Sequence, residues 1–215
     1  MNEATVQLTG RLAPVLQSSN GEAPPSVPRP AFHHVQLKTV RLDEMVSWYV
    51  DLLGLVVTHR GSGAAWLTND DANHRIAIVS TPNLVDDPDK LRHTGLHHTA
   101  WEYATLDELL EIYVHMRDKG QLPHRTVNHG PITSFYYEDP DGNSVELQND
   151  NFGDWRESVY FFQSAAFAED PFGPGVDPEA LLVAREAGAS TRELARRSYA
   201  GDFPVTRPND RRLAL

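Results

Sequence analysis

Hydrophobic positions follow two different periods within residues 31–150. Apolar residues recur at helical spacing in two stretches, and a glycine that would end a helix follows each, at Gly54 and Gly120. Short apolar runs between Gly, Asn and Asp clusters predict strands. These predicted strands are Phe32–Lys38, Leu55–Thr58, Ala64–Thr68, Arg75–Ser80, Leu96–Tyr103, Ile132–Glu138 and Ser144–Gln148. The first stretch shows the order β-α-β-β-β and the second shows three of the four corresponding strands, so we expect the order β-α-β-β-β twice.

An internal repeat supports this duplication. His33-His34 and His97-His98 open two similar segments that are 64 residues apart, and at the same offset Leu42-Asp43-Glu44 matches Leu106-Asp107-Glu108. A repeat of this length is typical of a duplicated supersecondary unit. We therefore expect an α+β fold of two tandem β-α-β-β-β modules, residues 31–82 and 95–150, that form a cupped sheet.

Segments of different composition flank the core at 31–150. Residues 1–30 contain five prolines with interspersed glycine and serine, so we expect an extended N-terminal arm. Residues 151–215 are expected to form a helical extension. Asp177-Pro178 is typical of a helix start, and Ser190-Thr191-Arg192-Glu193 is typical of a capping box.

Composition narrows the possible functions. The 215 residues include no cysteine, which excludes disulfides, thiolate metal sites and cysteine nucleophiles. The formal net charge of −11 argues against nucleic acids and anionic membranes as partners. The chain shows no apolar run of about 20 residues that would cross a bilayer and no signal peptide, so we expect a cytoplasmic protein. A homo-oligomer is expected because two-fold assemblies are common.

The histidines of the repeat predict a metal site. His34 and His98 occupy equivalent positions at the first strand of each module, and Glu146 lies on the last strand of the second. Two imidazoles and a carboxylate on rigid strands suit a divalent first-row metal. A single strand histidine is more often a packing residue, but the paired positions favour the metal.

The core also resembles a known family. Asn128-His129-Gly130, followed by Ser134-Phe135-Tyr136-Tyr137-Glu138-Asp139-Pro140-Asp141-Gly142-Asn143-Ser144-Val145-Glu146, is similar to the final signature of the type I extradiol ring-cleaving dioxygenases. These enzymes belong to the vicinal oxygen chelate superfamily. Because a single pair of modules is present, the chain resembles the small one-domain members.

The resemblance implies an activity and a set of site residues. His34, His98 and Glu146 match the family's Fe(II) ligands, although Mn(II) suits the same ligands. His74 matches an acid–base histidine, and His129 and Tyr136 match residues that contact substrate and intermediates. The implied reaction takes a catechol-type substrate and O2, and opens the ring next to the diol.

Three other functions of the same fold are open at this stage. A glyoxalase-like isomerase needs a ligand or base on the last strand of the first module, where the repeat places Ile76 or Ala77. Neither side chain binds a metal or moves a proton. A thiol transferase shares the His, His, Glu ligands, but does not require His74 or His129. A non-enzymatic antibiotic-binding protein needs no metal.

Overall fold

The computed structural model describes residue 28 and residues 30–212. The chain divides into two compact units, Met1–Phe32 and His33–Leu215. The predicted arm at residues 1–30 lies almost entirely outside the described residues. All helices and strands named below lie in the second unit.

The first module contains four strands and one helix. In chain order they are β1 (Val35–Lys38), α1 (Leu42–Leu53), β2 (Val56–Arg60), β3 (Ala64–Thr68) and β4 (Ile76–Val79). The strands form one sheet in the order β1-β4-β3-β2, with β1 parallel to β4. Helix α1 ends at Gly54, whose φ of 61° is the left-handed conformation that glycine adopts without strain.

The second module repeats this arrangement. It contains β5 (His98–Tyr103), α2 (Leu106–Asp118), β6 (Arg125–Asn128), β7 (Ile132–Glu138) and β8 (Ser144–Asp150). Its sheet has the order β5-β8-β7-β6, with β5 parallel to β8. The predicted α+β fold with two β-α-β-β-β modules is confirmed.

Strand register defines equivalent positions in the two modules. Val35 pairs with Ile76 in the first sheet, and Thr99 pairs with Val145 in the second. Since His34 and His98 immediately precede Val35 and Thr99, Ala77 is the equivalent of Glu146. The last strand of the first module therefore carries an alanine where the second module carries a carboxylate.

One face of each sheet is covered by the helix of its module, and the opposite face carries a row of cross-strand neighbours. Val145 and Leu147 are buried in the hydrophobic core beneath α2. Because side chains alternate along a strand, Glu146 points to the opposite face. Cross-strand pairing places Arg125, Tyr136 and Glu146 side by side there, as one row on β6, β7 and β8. In the first module the equivalent row is His59, Trp66 and Ala77.

The turn between β7 and β8 joins the two modules. The carboxylate of Asp139, which is 3% exposed, accepts hydrogen bonds from the backbone N–H groups of Asp141 (3.0 Å) and Asn143 (2.8 Å) and from the Asn143 amide (2.7 Å). It also accepts a hydrogen bond from the Tyr49 hydroxyl of α1, at 3.1 Å. The Asp-Pro-Asp-Gly-Asn sequence therefore both closes the turn and binds the first module.

We expect Tyr49→Phe to lower the free energy of unfolding by about 1–2 kcal/mol, because it removes one hydrogen bond from a buried carboxylate that keeps its other donors. Urea denaturation would measure this change. Tyr160→Phe is the matched control, since Tyr160 lies exposed on another helix. Equal losses in the two variants would contradict a specific role for the Tyr49 hydroxyl between the modules.

Four helices follow the second module, in agreement with the predicted helical extension. They are α3 (Trp155–Phe162), α4 (Ala165–Glu169), α5 (Pro178–Glu186) and α6 (Thr191–Tyr199). Asp177 and Ser190 cap α5 and α6 through side-chain hydrogen bonds, as their sequences predict. Tyr113 of α2, which corresponds to Tyr49 in the internal repeat, donates a hydrogen bond to Glu179 of α5 at 2.8 Å. No helix of the described residues has both the length and the apolar character needed to cross a membrane.

The last described residues cover the outer edge of β6. Asn209 accepts a hydrogen bond from the Thr126 backbone N–H (3.0 Å) and donates one to the Thr126 carbonyl (2.8 Å). The backbone N–H of Asp210 donates to the carbonyl of His124 at 2.9 Å. We call residues 205–212 the C-terminal strap. It supplies the hydrogen bonds that a further strand would make at a free edge.

Candidate active site

Glu146 lies at the centre of a polar cluster on the second sheet. Its side chain is 5% exposed, and Oε2 lies 3.0 Å from Nε2 of His98. The Tyr136 hydroxyl donates a hydrogen bond to the other oxygen, Oε1, at 2.7 Å. Strand pairing explains the second contact, because Tyr136 on β7 is the direct neighbour of Glu146 on β8.

The Glu146 carboxyl is held in its ionised form. Burial opposes ionisation, but the hydrogen bonds from His98 and Tyr136 outweigh it, so that the pKa lies below the ordinary value for glutamate. A buried carboxylate beside an imidazole nitrogen offers two of the ligand types that bind divalent first-row metals.

His129 extends the cluster. Its Nε2 lies 3.1 Å from the Tyr136 hydroxyl. Since that hydroxyl has one proton and donates it to Glu146, it accepts the hydrogen bond from Nε2–H of His129. Burial, followed by the positive charge of Arg125, lowers the pKa of His129. Burial and the adjacent Glu146 raise the pKa of Tyr136, so this hydroxyl keeps its proton.

A second cluster lies on the first module. Ligand nitrogens of His33, His34 and His74 all lie within 4.8 Å of one another, and His34 and His74 have ring centroids 4.4 Å apart. Burial, followed by the charges of His34 and His33, lowers the pKa of His74. His34 immediately precedes β1, whereas the sequence predicted it within a strand, and His74 lies in the loop before β4.

The six predicted site residues thus form two groups. One contains His98, Glu146, Tyr136 and His129, and the other contains His34 and His74. Within the described residues, no hydrogen bond, ion pair or ring contact joins His34 to His98 or Glu146. The convergence of His34, His98 and Glu146 on one metal ion therefore stays a prediction.

Sequence reasoning missed one residue of the row, Arg125. This residue is 8% exposed, and its guanidinium lies over the Tyr136 ring, 5.2 Å from the centroid. In the part of the chain that the structure describes, the guanidinium has no ion pair or hydrogen-bond partner, and burial lowers its pKa. Residues 125–128 were not among the predicted strands, because Arg-Thr-Val-Asn shows no clear alternation of polar and apolar residues.

A large cleft lies elsewhere. It has a volume of about 1030 Å³ and is lined by residues that include Thr105, Asn149, Phe161 and Arg192. None of the six predicted site residues lines it. Asn149 lies on β8 three positions after Glu146, so its side chain belongs to the helix-covered face. This cleft therefore does not contain the polar cluster around Glu146.

The fold is a duplicated β-α-β-β-β unit, and its second sheet carries an imidazole–carboxylate pair of the kind that can hold a divalent metal ion. A model of the Glyoxalase/Bleomycin resistance protein/Dioxygenase superfamily matches residues 31–147, and the chain belongs to this superfamily.

Two curated relatives from Rhodococcus globerulus match over most of the chain. Biphenyl-2,3-diol 1,2-dioxygenase 3 is 40% identical over 172 residues, which are 80% of this chain and 90% of the relative. Biphenyl-2,3-diol 1,2-dioxygenase 2 is 35% identical over 180 residues, which are 84% of this chain and 94% of the relative.

Among solved structures, a glyoxylase/bleomycin resistance protein/dioxygenase domain from Frankia sp. EAN1pec covers 61% of this chain and 99% of its own. It matches with a TM-score of 0.50 at 16% identity, which supports the fold alone.

Proposed function

We propose that this protein is an extradiol ring-cleaving dioxygenase, which inserts both atoms of O2 into a catechol-type substrate next to the diol. The observation that carries the proposal is the connected network of His98, Glu146, Tyr136 and His129. It is supported by relatives named biphenyl-2,3-diol 1,2-dioxygenases, which this chain matches over at least 90% of their length.

His98 and Glu146 fit a resident metal ion. Their facing atoms, Nε2 and Oε2, lie 3.0 Å apart, and the carboxylate is buried and ionised. We propose that these two residues and His34 hold Fe(II), with Mn(II) as the alternative metal. When bound, the metal brings the diol and O2 together and lets electrons pass from one to the other. Because both oxygen atoms enter the product, no external reductant is required.

The surrounding residues supply hydrogen bonds and proton transfer. Tyr136 keeps its proton and orients Glu146, and Nε2–H of His129 is fixed by its hydrogen bond to Tyr136. Tyr136 is buried in the row and His129 is half-buried next to it, and we propose that these donors turn from their present partners to the negative charge that develops on the substrate. His74, with its lowered pKa, is neutral near pH 7 and is proposed to accept or return the proton of a substrate hydroxyl.

Arg125 suits an anionic form of the substrate. A buried guanidinium without an ion pair is costly in the free protein, and an arriving anion relieves that cost. A catechol that loses a proton on binding is such an anion. We therefore propose that Arg125 favours binding of the catecholate form over the neutral diol.

Other activities of the superfamily fit this chain less well. Ala77, the register equivalent of Glu146, supplies neither a ligand nor a base on the last strand of the first module, which argues against a glyoxalase-like isomerase. A thiol transferase or a non-enzymatic binding protein would leave the Tyr136–His129 network without a role. Cytoplasmic location and homo-oligomer formation stay predictions.

Oxygen consumption tests the proposal. We expect the protein, loaded anaerobically with Fe(II), to consume O2 when 2,3-dihydroxybiphenyl or catechol is added in air, and to form a yellow ring-opened product. Treatment with a chelator should abolish the uptake, and renewed Fe(II) should restore it. Protein that holds metal but consumes no O2 across a panel of catechols would overturn the proposal in favour of the isomerase or transferase activities.

A further inference from the structure

A continuous chain of polar contacts runs from the C-terminal strap to Glu146. The main-chain carbonyl of Arg211 lies 2.9 Å from Nε2 of His97. Nδ1 of His97 lies 2.7 Å from Nδ1 of His98. His98 then presents Nε2 to Glu146 at 3.0 Å. His97 is thus the link between the strap and the histidine that we assign to the metal.

The chemistry of these atoms fixes where the protons lie. A carbonyl oxygen only accepts, so the hydrogen bond at Arg211 requires a proton on Nε2 of His97. In a neutral imidazole the other nitrogen is then an acceptor, so Nδ1 of His97 accepts from Nδ1–H of His98. When Nε2 of His98 binds a metal ion in place of its hydrogen bond to Glu146, the one proton left on the ring lies on Nδ1, where His97 accepts it.

We infer that His97 is a positioning residue, which the Arg211 carbonyl orients and which in turn holds His98 in its metal-binding tautomer. Ligating histidines in proteins commonly donate their second ring N–H to a fixed acceptor, which sets both the tautomer and the ring orientation. The inference rests on the proposed metal site, in which His98 is a ligand.

The strap holds the Arg211 carbonyl in place from both sides. The preceding residues are fixed on β6 by the two hydrogen bonds of Asn209 to Thr126. The carbonyl of Asp210 accepts a hydrogen bond from Nδ1 of His124 at 2.8 Å. The Arg211 guanidinium lies 4.7 Å from the centre of the Phe172 ring, and Arg212 forms an ion pair with Glu138. A carbonyl anchored in this way can orient His97, whereas one on a free chain end would not.

The histidine doublet of the first module repeats only part of this arrangement. Nδ1 of His33 lies 3.0 Å from Nδ1 of His34, as in the second doublet. The His33 ring packs edge-on against His74, at a centroid distance of 5.2 Å, whereas the His97 ring binds a carbonyl. The carbonyl anchor therefore distinguishes the His98 side of the site.

Metal affinity, measured without substrate or O2, tests the inference. Co(II) would be titrated into apoprotein and followed by its d–d absorption. We expect His97→Phe to raise the Kd for Co(II) by about 10–100-fold, because the acceptor for His98 is lost. We expect His97→Asn to stay within about threefold of the unmodified protein, because its amide oxygen can take the place of Nδ1 as the acceptor.

The ranking of the two variants by Co(II) affinity distinguishes a positioning role of His97 from a packing role. If His97 only filled space, the phenylalanine ring would preserve Co(II) affinity better than asparagine. His115→Phe, on the exposed side of α2, is the control for a histidine-to-phenylalanine change away from the site. Asn209→Ala, which loosens the strap without touching His97, should weaken Co(II) binding in the same direction.

Two results would overturn the inference about His97, and only one of them would also overturn the proposed metal site. Unchanged Co(II) affinity in His97→Phe, or equal weakening in the Phe and Asn variants, would reject the role of His97 and leave the metal site standing. Absence of Co(II) binding by the unmodified protein would reject both. If the variants rank as expected but no catechol is cleaved, the positioning role holds and the proposed reaction fails.

Discussion

Glu146→Ala is expected to lose its metal and to reduce ring-cleaving turnover by on the order of 10³-fold or more, equivalent to about 4 kcal/mol of barrier. The variant removes the ionised carboxylate that faces His98 and accepts the Tyr136 hydrogen bond. Metal content after dialysis, measured by elemental analysis, and O2 uptake with 2,3-dihydroxybiphenyl would be compared in the same preparations. Glu146→Gln keeps the size of the side chain and tests whether its charge is what matters.

The variant His33→Ala distinguishes between two possible positions of the metal. The structure offers a second group of potential ligands, His33, His34 and His74, on the first module. If the metal were held there, His33→Ala would lose it and Glu146→Ala would keep it. We expect the reverse, with metal retained in His33→Ala and lost in Glu146→Ala. Metal retention by Glu146→Ala would remove this residue from the ligand set.

Tyr136→Phe is expected to keep its metal but to lower kcat by about 10²–10³-fold, the usual cost of removing a positioned donor from an active site. Without the hydroxyl, Glu146 loses a hydrogen bond at 2.7 Å and Nε2 of His129 loses its partner at 3.1 Å. Steady-state O2 uptake and metal analysis would be measured together, so that a loss of turnover is not mistaken for a loss of metal.

Tyr137→Phe is the matched control for this variant. Tyr137 is the next residue on β7 and is 1% exposed, and it points into the core on the other face of the sheet. Its hydroxyl has no hydrogen-bond partner among the described residues. We expect unchanged turnover and no loss of stability, because an unsatisfied buried hydroxyl is replaced by hydrogen. Similar turnover in the two variants would contradict the role given to Tyr136.

Local signals in the sequence predicted most of the elements. Both helix-ending glycines, Gly54 and Gly120, have positive φ, and the strands Ala64–Thr68 and Ile132–Glu138 have the predicted bounds. These features depend on a few neighbouring residues. Glu146, Tyr136 and His129 could also be grouped from the sequence, because a short antiparallel hairpin brings them together.

Features that depend on register and on distant chain segments were harder to predict. The helices of the two modules align at an offset of 64 residues, but the last strands align at 69, so that Ala77 and not Ile76 is the equivalent of Glu146. The position of Arg125 in the row follows only from the pairing of β6 with β7, which places Arg125 beside Tyr136. The contact of His97 with Arg211 spans 114 residues, and no local pattern encodes it.

The duplicated row of cross-strand neighbours has a consequence for how this protein can change over evolution. In one half the row reads Arg125, Tyr136 and Glu146, and in the other His59, Trp66 and Ala77. Duplication gave two equivalent rows, but the carboxylate of Glu146 has an alanine as its counterpart in the first row. His34 and His74 lie outside that first row, so substitutions at Trp66 can change its shape without replacing any of the six predicted site residues.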